Sequence, residues 1–444
     1  MQEPSVPEDH SQNESILSTK CRFLLWISVV IHISVIIGIV AVVISIRYQS
    51  SFSSNSINYG SGTTSVLKKT TRATRMETTS TEVTTSISRN ISDTNSSYIP
   101  CNPLKFSDYT GYPTLTIPSS VSNGDLDGDS FLDIVVANAG NLGISIYYGL
   151  GNGTFLNQKY LNTPGYINYV AVRDMNNDNK SDILLTYTAS NQIAILINKG
   201  NRNFGIPITY PVGNYPYWLD ISDFNKNNLL DVIVANNHDA SVTILYDYYN
   251  LSFSYSKTYP VGNGVTAVSV VDFNNDSYPD FITTDYSDNT ISLYINPKSG
   301  IFKNKKKIYT SIGPWGIATA DLNNDNFIDI VNTNFVSFTI SVFLNDGHGN
   351  FNKWDTYYIG GTTMSVTLSD LNNDTFIDII AENNDADFIC IFLNKQNGIF
   401  ETCQQIITDW NVNAVTTGDF NGDGKIDIAL CTVQNTMNVL LNLC

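Results

Sequence analysis

The sequence predicts an all-β fold: a seven-bladed β-propeller closed by an N-terminal strand and carried on a single N-terminal transmembrane helix. Three observations predict it. An acidic loop, GDFNGDGKID in its last copy, recurs seven times; strand-like segments fill each interval; and one long apolar run lies near the amino terminus. The first Asp of the loops stands at 125, 174, 223, 272, 321, 370 and 419, a constant step of 49 residues. Repeats of about 20–50 residues signal solenoids, propellers or arrays. The 444 residues therefore read as one large repeat unit with an appendage.

The appendage comes first. Residues 23–46, FLLWISVVIHISVIIGIVAVVISI, contain no Asp, Glu, Lys or Arg. That run exceeds the roughly 20 residues a helix needs to cross a bilayer and the roughly 7–15-residue apolar core of a cleaved signal peptide. The expectation is a signal-anchor helix behind a cytoplasmic tail, residues 1–22, in which Cys21 beside Lys20 and Arg22 is a palmitoylation candidate. Residues 47–100 are rich in Ser and Thr and read as a disordered, O-glycosylated stalk. N-glycosylation sequons at Asn90, Asn95, Asn152 and Asn250 fit an exterior carboxyl side. The expected location is the plasma membrane, single-pass, with the N-terminus cytoplasmic and residues 101–444 extracellular.

Within the repeat, each acidic loop leads into an apolar run such as DIVVAN or DVIVAN, then a polar turn, then an alternating run such as TISLYIN. Period-two alternation with β-branched residues reads as strands. A further segment follows an aromatic of fixed phase: Phe155, Phe204, Phe253, Phe302, Phe351 and Phe400. Four strands per repeat make a propeller blade, and seven blades fall in the usual range. The seventh copy ends after its third strand, whereas the segment from Cys101, with Phe106 at the same phase as the other six aromatics, supplies a fourth. The ring is expected to close there, and Cys101 and Cys444, equal in phase, are expected to form a disulfide across the closure. Cys390 and Cys403 flank a turn symmetrically and are the second expected pair, with Cys431 either a competitor or a buried thiol.

The loops carry the chemistry. They supply Asp125, Asp127, Asp129 and Asp133; Asp174, Asn176, Asp178 and Asp182; Asp223, Asn225, Asn227 and Asp231; Asp272, Asn274, Asp276 and Asp280. The last three supply Asp321, Asn323, Asp325 and Asp329; Asp370, Asn372, Asp374 and Asp378; Asp419, Asn421, Asp423 and Asp427. Oxygens at i, i+2, i+4 and i+8 suit calcium, which takes about six to eight oxygen ligands, better than magnesium or zinc. The twelfth position lacks the Glu of an EF-hand, and the flanks are strands. Asx-turns free of metal are the rival, opposed by the mutual repulsion of so many carboxylates. The all-Asp first loop is expected to bind most tightly and the third, with Lys226 inside it, most weakly.

The fixed Phe, the turns VGNYP and SIGPWG and the D-x-[DN]-x-[DN]-x-x-x-D loop together resemble the FG-GAP, or VCBS-type, repeats of integrin α-subunit propellers. The resemblance covers residues 102–444 and implies calcium in the loops on one face and ligands on the opposite face. On that opposite face Tyr166, Tyr215, Tyr217, Trp315 and Trp410 are expected in loops as ligand-face candidates, beside the turns NNHDA, DYSDN and NNDAD. The expected function is a surface-displayed adhesion or recognition module for extracellular protein or glycan ligands. A propeller-based enzyme, such as a polysaccharide lyase or lipid-cleaving hydrolase, and a structural coat glycoprotein are the alternatives. Catalysis is not expected, because the propeller's histidines, His238 and His348, fall in different turns and no nucleophile motif appears. With 41 acidic against 24 basic residues, no nucleic-acid partner is expected.

Overall fold

The computed structural model describes residues 102–140, 143–351, 353–408 and 410–444, all within the compact unit Asp93–Cys444. The expected tail, apolar span and stalk, the sequons Asn90 and Asn95, and Cys101 lie outside the described residues. Among the described residues no helix is long and apolar enough to cross a membrane.

Seven four-stranded antiparallel sheets form the seven blades. Their first strands are Pro118–Gly124, Ile167–Arg173, Pro216–Ser222, Val265–Val271, Pro314–Ala320, Val366–Ser369 and Val412–Gly418. First strands of successive blades touch one another, which places them innermost around the axis. The second strands, Asp133–Asn138 and Asp231–Asn236 among them, are buried along their whole length. A neighbouring blade covers each face, so these strands read as continuous apolar runs rather than alternating ones. Fourth strands lie at the rim and alternate, as in Ile208–Pro211. The seventh sheet takes its outer strand from the chain's other end: Thr110–Pro113 pairs antiparallel with Thr436–Leu440, Thr110 opposite Val439. The ring is thus closed by the expected N-terminal strand.

Two phases of the repeat build the packing between blades. The residue after each loop's first Asp is buried throughout: Leu126, Met175, Phe224, Phe273, Leu322, Leu371 and Phe420. The fixed Phe of the next blade meets it edge-on, with ring centroids 5.5 Å apart for Phe224–Phe302, 5.7 Å for Phe273–Phe351 and 5.8 Å for Phe155–Phe420. Edge-to-face pairs of this kind add about 0.5–1.5 kcal/mol beyond area burial. The last pair joins the first blade to the seventh.

Candidate metal loops and axial cavity

Each acidic loop curls because two of its residues take left-handed backbone. In the first, Gly128 has φ 86° and Ser130 φ 72°; in the last, Gly422 has 74° and Gly424 82°; in the others Asn predominates at these places. Glycine and asparagine tolerate this region best. The alternating conformation turns the side chains at i, i+2 and i+4 inward onto the loop's own amides. Asp419 Oδ2 accepts the Gly424 N–H at 2.8 Å, Asn421 Oδ1 the Asp423 N–H at 2.9 Å, and Asp423 Oδ1 the Lys425 N–H at 3.0 Å.

The i+8 acids are fully buried in all seven blades. One carboxylate oxygen accepts the N–H of the residue after the first Asp, and the other a main-chain N–H at the end of the third strand; for Asp329 these are Leu322 at 2.9 Å and Asn345 at 2.8 Å. Burial, reinforced by the neighbouring carboxylates, lifts Asp133, Asp231, Asp280, Asp329 and Asp378 to about 7 and Asp182 and Asp427 to about 6. A buried carboxyl among other carboxylates calls for a proton or a cation. In the first loop, oxygens of Asp125, Asp127 and Asp133 lie within 4.8 Å of one another. An all-oxygen donor set of this composition fits calcium.

Two loops carry features that the sequence reading did not anticipate. Arg202 of the second blade pairs with Asp127 at 2.7 Å and lies over the Tyr148 ring at 4.5 Å, so a cation already leans on the all-Asp first loop. In the third loop the amides of Asn225 and Asn227 donate to one oxygen of Asp247, at 2.9 and 2.7 Å. Asp247 brings the carboxylate that this loop lacks, from within the third strand, Ser241–Tyr249. Lys226 points away, over the Tyr278 ring at 5.4 Å.

At the position Asp247 occupies, five other blades have Asn: Asn198, Asn296, Asn345, Asn394 and, one residue early, Asn442. Each donates its amide to the residue after the first Asp of the preceding blade's loop, at 2.8 Å: Leu126, Phe224, Phe273, Leu322 and Leu371. Each also donates to its own blade's loop. The blades are therefore stitched together beside every one of these loops. The signal was in the sequence, an Asn of constant phase, but it reads as an ordinary turn residue until the ring is closed.

The axis holds the second site, a cavity of about 590 Å³ lined by first-strand residues of six blades. Register shifts mark bulges in the first strands at Ser119, Tyr217, Thr266 and Asn413, and wider ones spanning Asn168–Tyr169 and Trp315–Gly316. A bulge inserts an unpaired residue and re-aims its side chain, here toward the axis. Tyr217 and Trp315 thus belong to strands, not to the loops expected for them, and meet edge-on at 5.6 Å. Tyr169 and Trp218, missed from the sequence, stack at 4.2 Å in the same wall. The remaining face candidates stand outside the cavity lining: Tyr166 and Trp410 are about half exposed, at 54 % and 49 %, and Tyr215 stacks on His238 at 4.3 Å. His348 lies within the turn 346–350 that follows the third strand at the acidic-loop end, its N–H donated to Asp346.

Among the cysteines, Cys390 and Cys403 are bonded, Cys431 is a buried free thiol, and Cys444 is disulfide-bonded. Cys101, its expected partner, lies outside the described residues. The sequons Asn152 and Asn250 are exposed, and Asn152 accepts both the N–H and the hydroxyl of Thr154.

A closed ring of seven blades, each with an acidic loop after its first strand, defines a repeat propeller. The chain belongs to the FG-GAP-like repeat family, whose model matches residues 125–185, 174–234, 223–283, 272–332 and 370–430. Among solved structures it is similar to BBS1N in complex with ARL6DN (12% identity, 76% of this chain, 96% of that one, TM-score 0.55). It is similar also to virginiamycin B lyase from Staphylococcus aureus (14% identity, 76% of this chain, 99% of that one, TM-score 0.53). A third is an Agrocybe aegerita lectin that recognises non-reducing terminal N-acetylglucosamine (17% identity, 74% of this chain, 96% of that one, TM-score 0.50). At these identities the likeness is one of fold. No match was found among curated proteins.

Proposed function

We propose that the protein is a membrane-anchored, extracellular recognition module whose propeller is stapled by calcium in its acidic loops and binds protein or glycan ligands on the opposite face. The observation that carries this reading is the aromatic-lined axial cavity, reached from the ends of the first strands opposite the acidic loops. Concave, largely apolar sites with a few convergent polar groups are where ligands bind. Calcium is supported by the buried i+8 carboxyls and by the uniform oxygen set, and it would supply charge neutralisation where seven groups of acids converge. The anchor and the exterior location rest on the apolar run 23–46, the Ser/Thr-rich stalk and the sequons. Among the neighbours, BBS1N is a protein-binding propeller and the Agrocybe protein a glycan-binding one.

Thermal unfolding of the full-length chain in detergent, with calcium and then with a chelator, tests the metal. Labelling of intact cells with a membrane-impermeant biotin reagent tests the topology. A calcium-dependent rise in melting temperature together with surface labelling is the expected result. An unchanged melting temperature would return the loops to metal-free turns.

A further inference from the structure

Seven equivalent positions, six residues before each loop's first Asp, are Ser119, Asn168, Tyr217, Thr266, Trp315, Met364 and Asn413. All but Thr266 line the axial cavity. At i+8 the fold demands Asp seven times out of seven, and at i+1 it demands a buried apolar residue. Here the same backbone position tolerates a hydroxyl, an amide, a phenol, an indole and a thioether. Ser119, Asn168, Thr266 and Asn413 donate there to a main-chain carbonyl of the next blade, whereas Tyr217, Trp315 and Met364 replace that donor with large side chains, and this variety gives the cavity two unlike walls. One is aromatic, from Tyr169, Tyr217, Trp218 and Trp315; the other is studded with the amides of Asn384 and Asn413 and the hydroxyls of Ser122 and Thr416.

Among the described residues no Asp, Glu, Lys, Arg or His lines the cavity, in a chain of net charge −17. Two acids beside the lining residues have their carboxylates occupied by protein donors. Asp220 accepts the N–H groups of Ile221 at 2.7 Å and Val270 at 2.8 Å, and Glu382 accepts the Thr363 hydroxyl at 3.1 Å and the Ser365 N–H at 2.7 Å. Charge is thus withheld from the cavity, which disfavours an ionic ligand. Flat rings facing hydroxyls and amides match a molecule with an apolar C–H face and a periphery of neutral hydroxyls. The volume of about 590 Å³ lies within the range of small-molecule pockets.

We propose that the axial cavity is a binding site for uncharged carbohydrate, the terminal units of a neutral glycan, with Trp315 and the Tyr169–Trp218 pair as stacking surfaces and the Asn and Ser/Thr wall reading the hydroxyls. This rests on the recognition reading above and names the ligand class of that site.

The full-length chain, in detergent with calcium present, is applied to an array of neutral oligosaccharides ending in galactose, mannose or N-acetylglucosamine. Sialylated and sulfated counterparts, phosphocholine and trimethyllysine are printed beside them. Neutral sugars are expected to bind. Trp315→Ala is expected to weaken binding roughly tenfold, the equivalent of a ring contact of about 1.4 kcal/mol. Because Trp315 also packs on Phe335, 5.3 Å away, Ser122→Trp provides a second test that fills the cavity without removing a ring; it should abolish binding at an unchanged melting temperature. Capture only of charged probes, or neutral-sugar binding untouched by both variants, overturns the proposal. Binding to cell-surface protein that both variants leave intact also overturns it, while the recognition reading stands. Failure to bind any glycan, protein or cell surface ends both.

Discussion

Asn345→Ala tests whether the amide ties between blades hold the ring. The Asn345 side chain donates to the carbonyls of Phe273, at 2.8 Å in the preceding blade, and Ile328, at 3.0 Å in its own. Its oxygen accepts the N–H groups of Gly347 at 3.1 Å and Gly349 at 3.2 Å. The residue is 4 % exposed, so water does not take over these partners. Typical buried bonds contribute about 1 kcal/mol net, and a stranded buried group costs about 1–3 kcal/mol, which puts the truncation at about 3–5 kcal/mol. Asn345→Asp should cost more, because it keeps the size, removes both donors and sets a carboxylate against two carbonyls near buried Asp329. The third blade already has that arrangement at Asp247, whose carboxylate is satisfied by Asn225 and Asn227. Equilibrium urea unfolding with calcium and with a chelator is the assay. A loss below about 1 kcal/mol in both conditions would show that the ties are incidental to ring stability.

Asp419→Ala should lower the calcium stoichiometry measured by calorimetry by one and leave the fold in place; an unchanged stoichiometry would remove that loop from the metal sites. Burial raises Glu382 to about 8 from 4.5, so its contribution to stability is complete below pH 4.5 and is lost as pH rises toward 8. That loss runs at about 1.4 kcal/mol per pH unit, and Glu382→Gln should flatten the stability profile relative to wild type across this window; parallel profiles would contradict the assignment. Replacing Cys390 and Cys403 together by Ala opens a link of sequence separation 13 and should cost about 3 kcal/mol in the chain-entropy account; no change in the urea midpoint would mean the unfolded chain is not restrained there.

The blade count, the acidic loops and the closing strand were legible because each depends on a residue type recurring at a fixed phase. Asp at i+8 has no substitute in a loop that needs a buried acceptor for two main-chain N–H groups. Phe155, Phe302, Phe351 and Phe400 were legible for the same reason, as the large apolar groups that reach a neighbour. The cavity was only half legible. Tyr217 and Trp315 stood out as aromatics near turns, whereas Tyr169 and Trp218 sit one residue further along strands in which strict alternation assigns neighbouring side chains to opposite faces. A bulge breaks that alternation locally, and no single residue in these strands announces one. Asp247 and Arg202 were hidden for another reason: their partners, Asn225 and Asp127, are 22 and 75 residues away and meet them only when the sheets are formed.

Blade six shows how the fold fastens the entry to the first strand. In the second, fourth and fifth blades a second-strand Thr accepts the N–H of the residue after the repeat's variable axial position: Thr186 from Tyr169 at 3.0 Å, Thr284 from Ala267 at 3.1 Å, Thr333 from Gly316 at 2.8 Å. Blade six has Glu382 at that position, taking the N–H groups of Met364 and Ser365 together. The backbone of the variable position is held by its neighbours in the sheet, so the large side chains of Tyr217, Trp315 and Met364 are accommodated where Ser119, Asn168, Thr266 and Asn413 donate to the next blade. The acceptor Asp at i+8 repeats its chemistry seven times, whereas the second-strand position that fastens the first strand (Ala137, Thr186, Ala235, Thr284, Thr333, Glu382 and Cys431) and the positions that project toward the axis do not. Asn168 and Asn413 also tie neighbouring blades, donating to the Tyr217 carbonyl at 3.2 Å and the Pro118 carbonyl at 2.9 Å. A change of ligand therefore falls first to Tyr217, Trp315 and Met364, and Ser122→Trp, which leaves those ties in place, should empty the site and keep the ring's stability where it was.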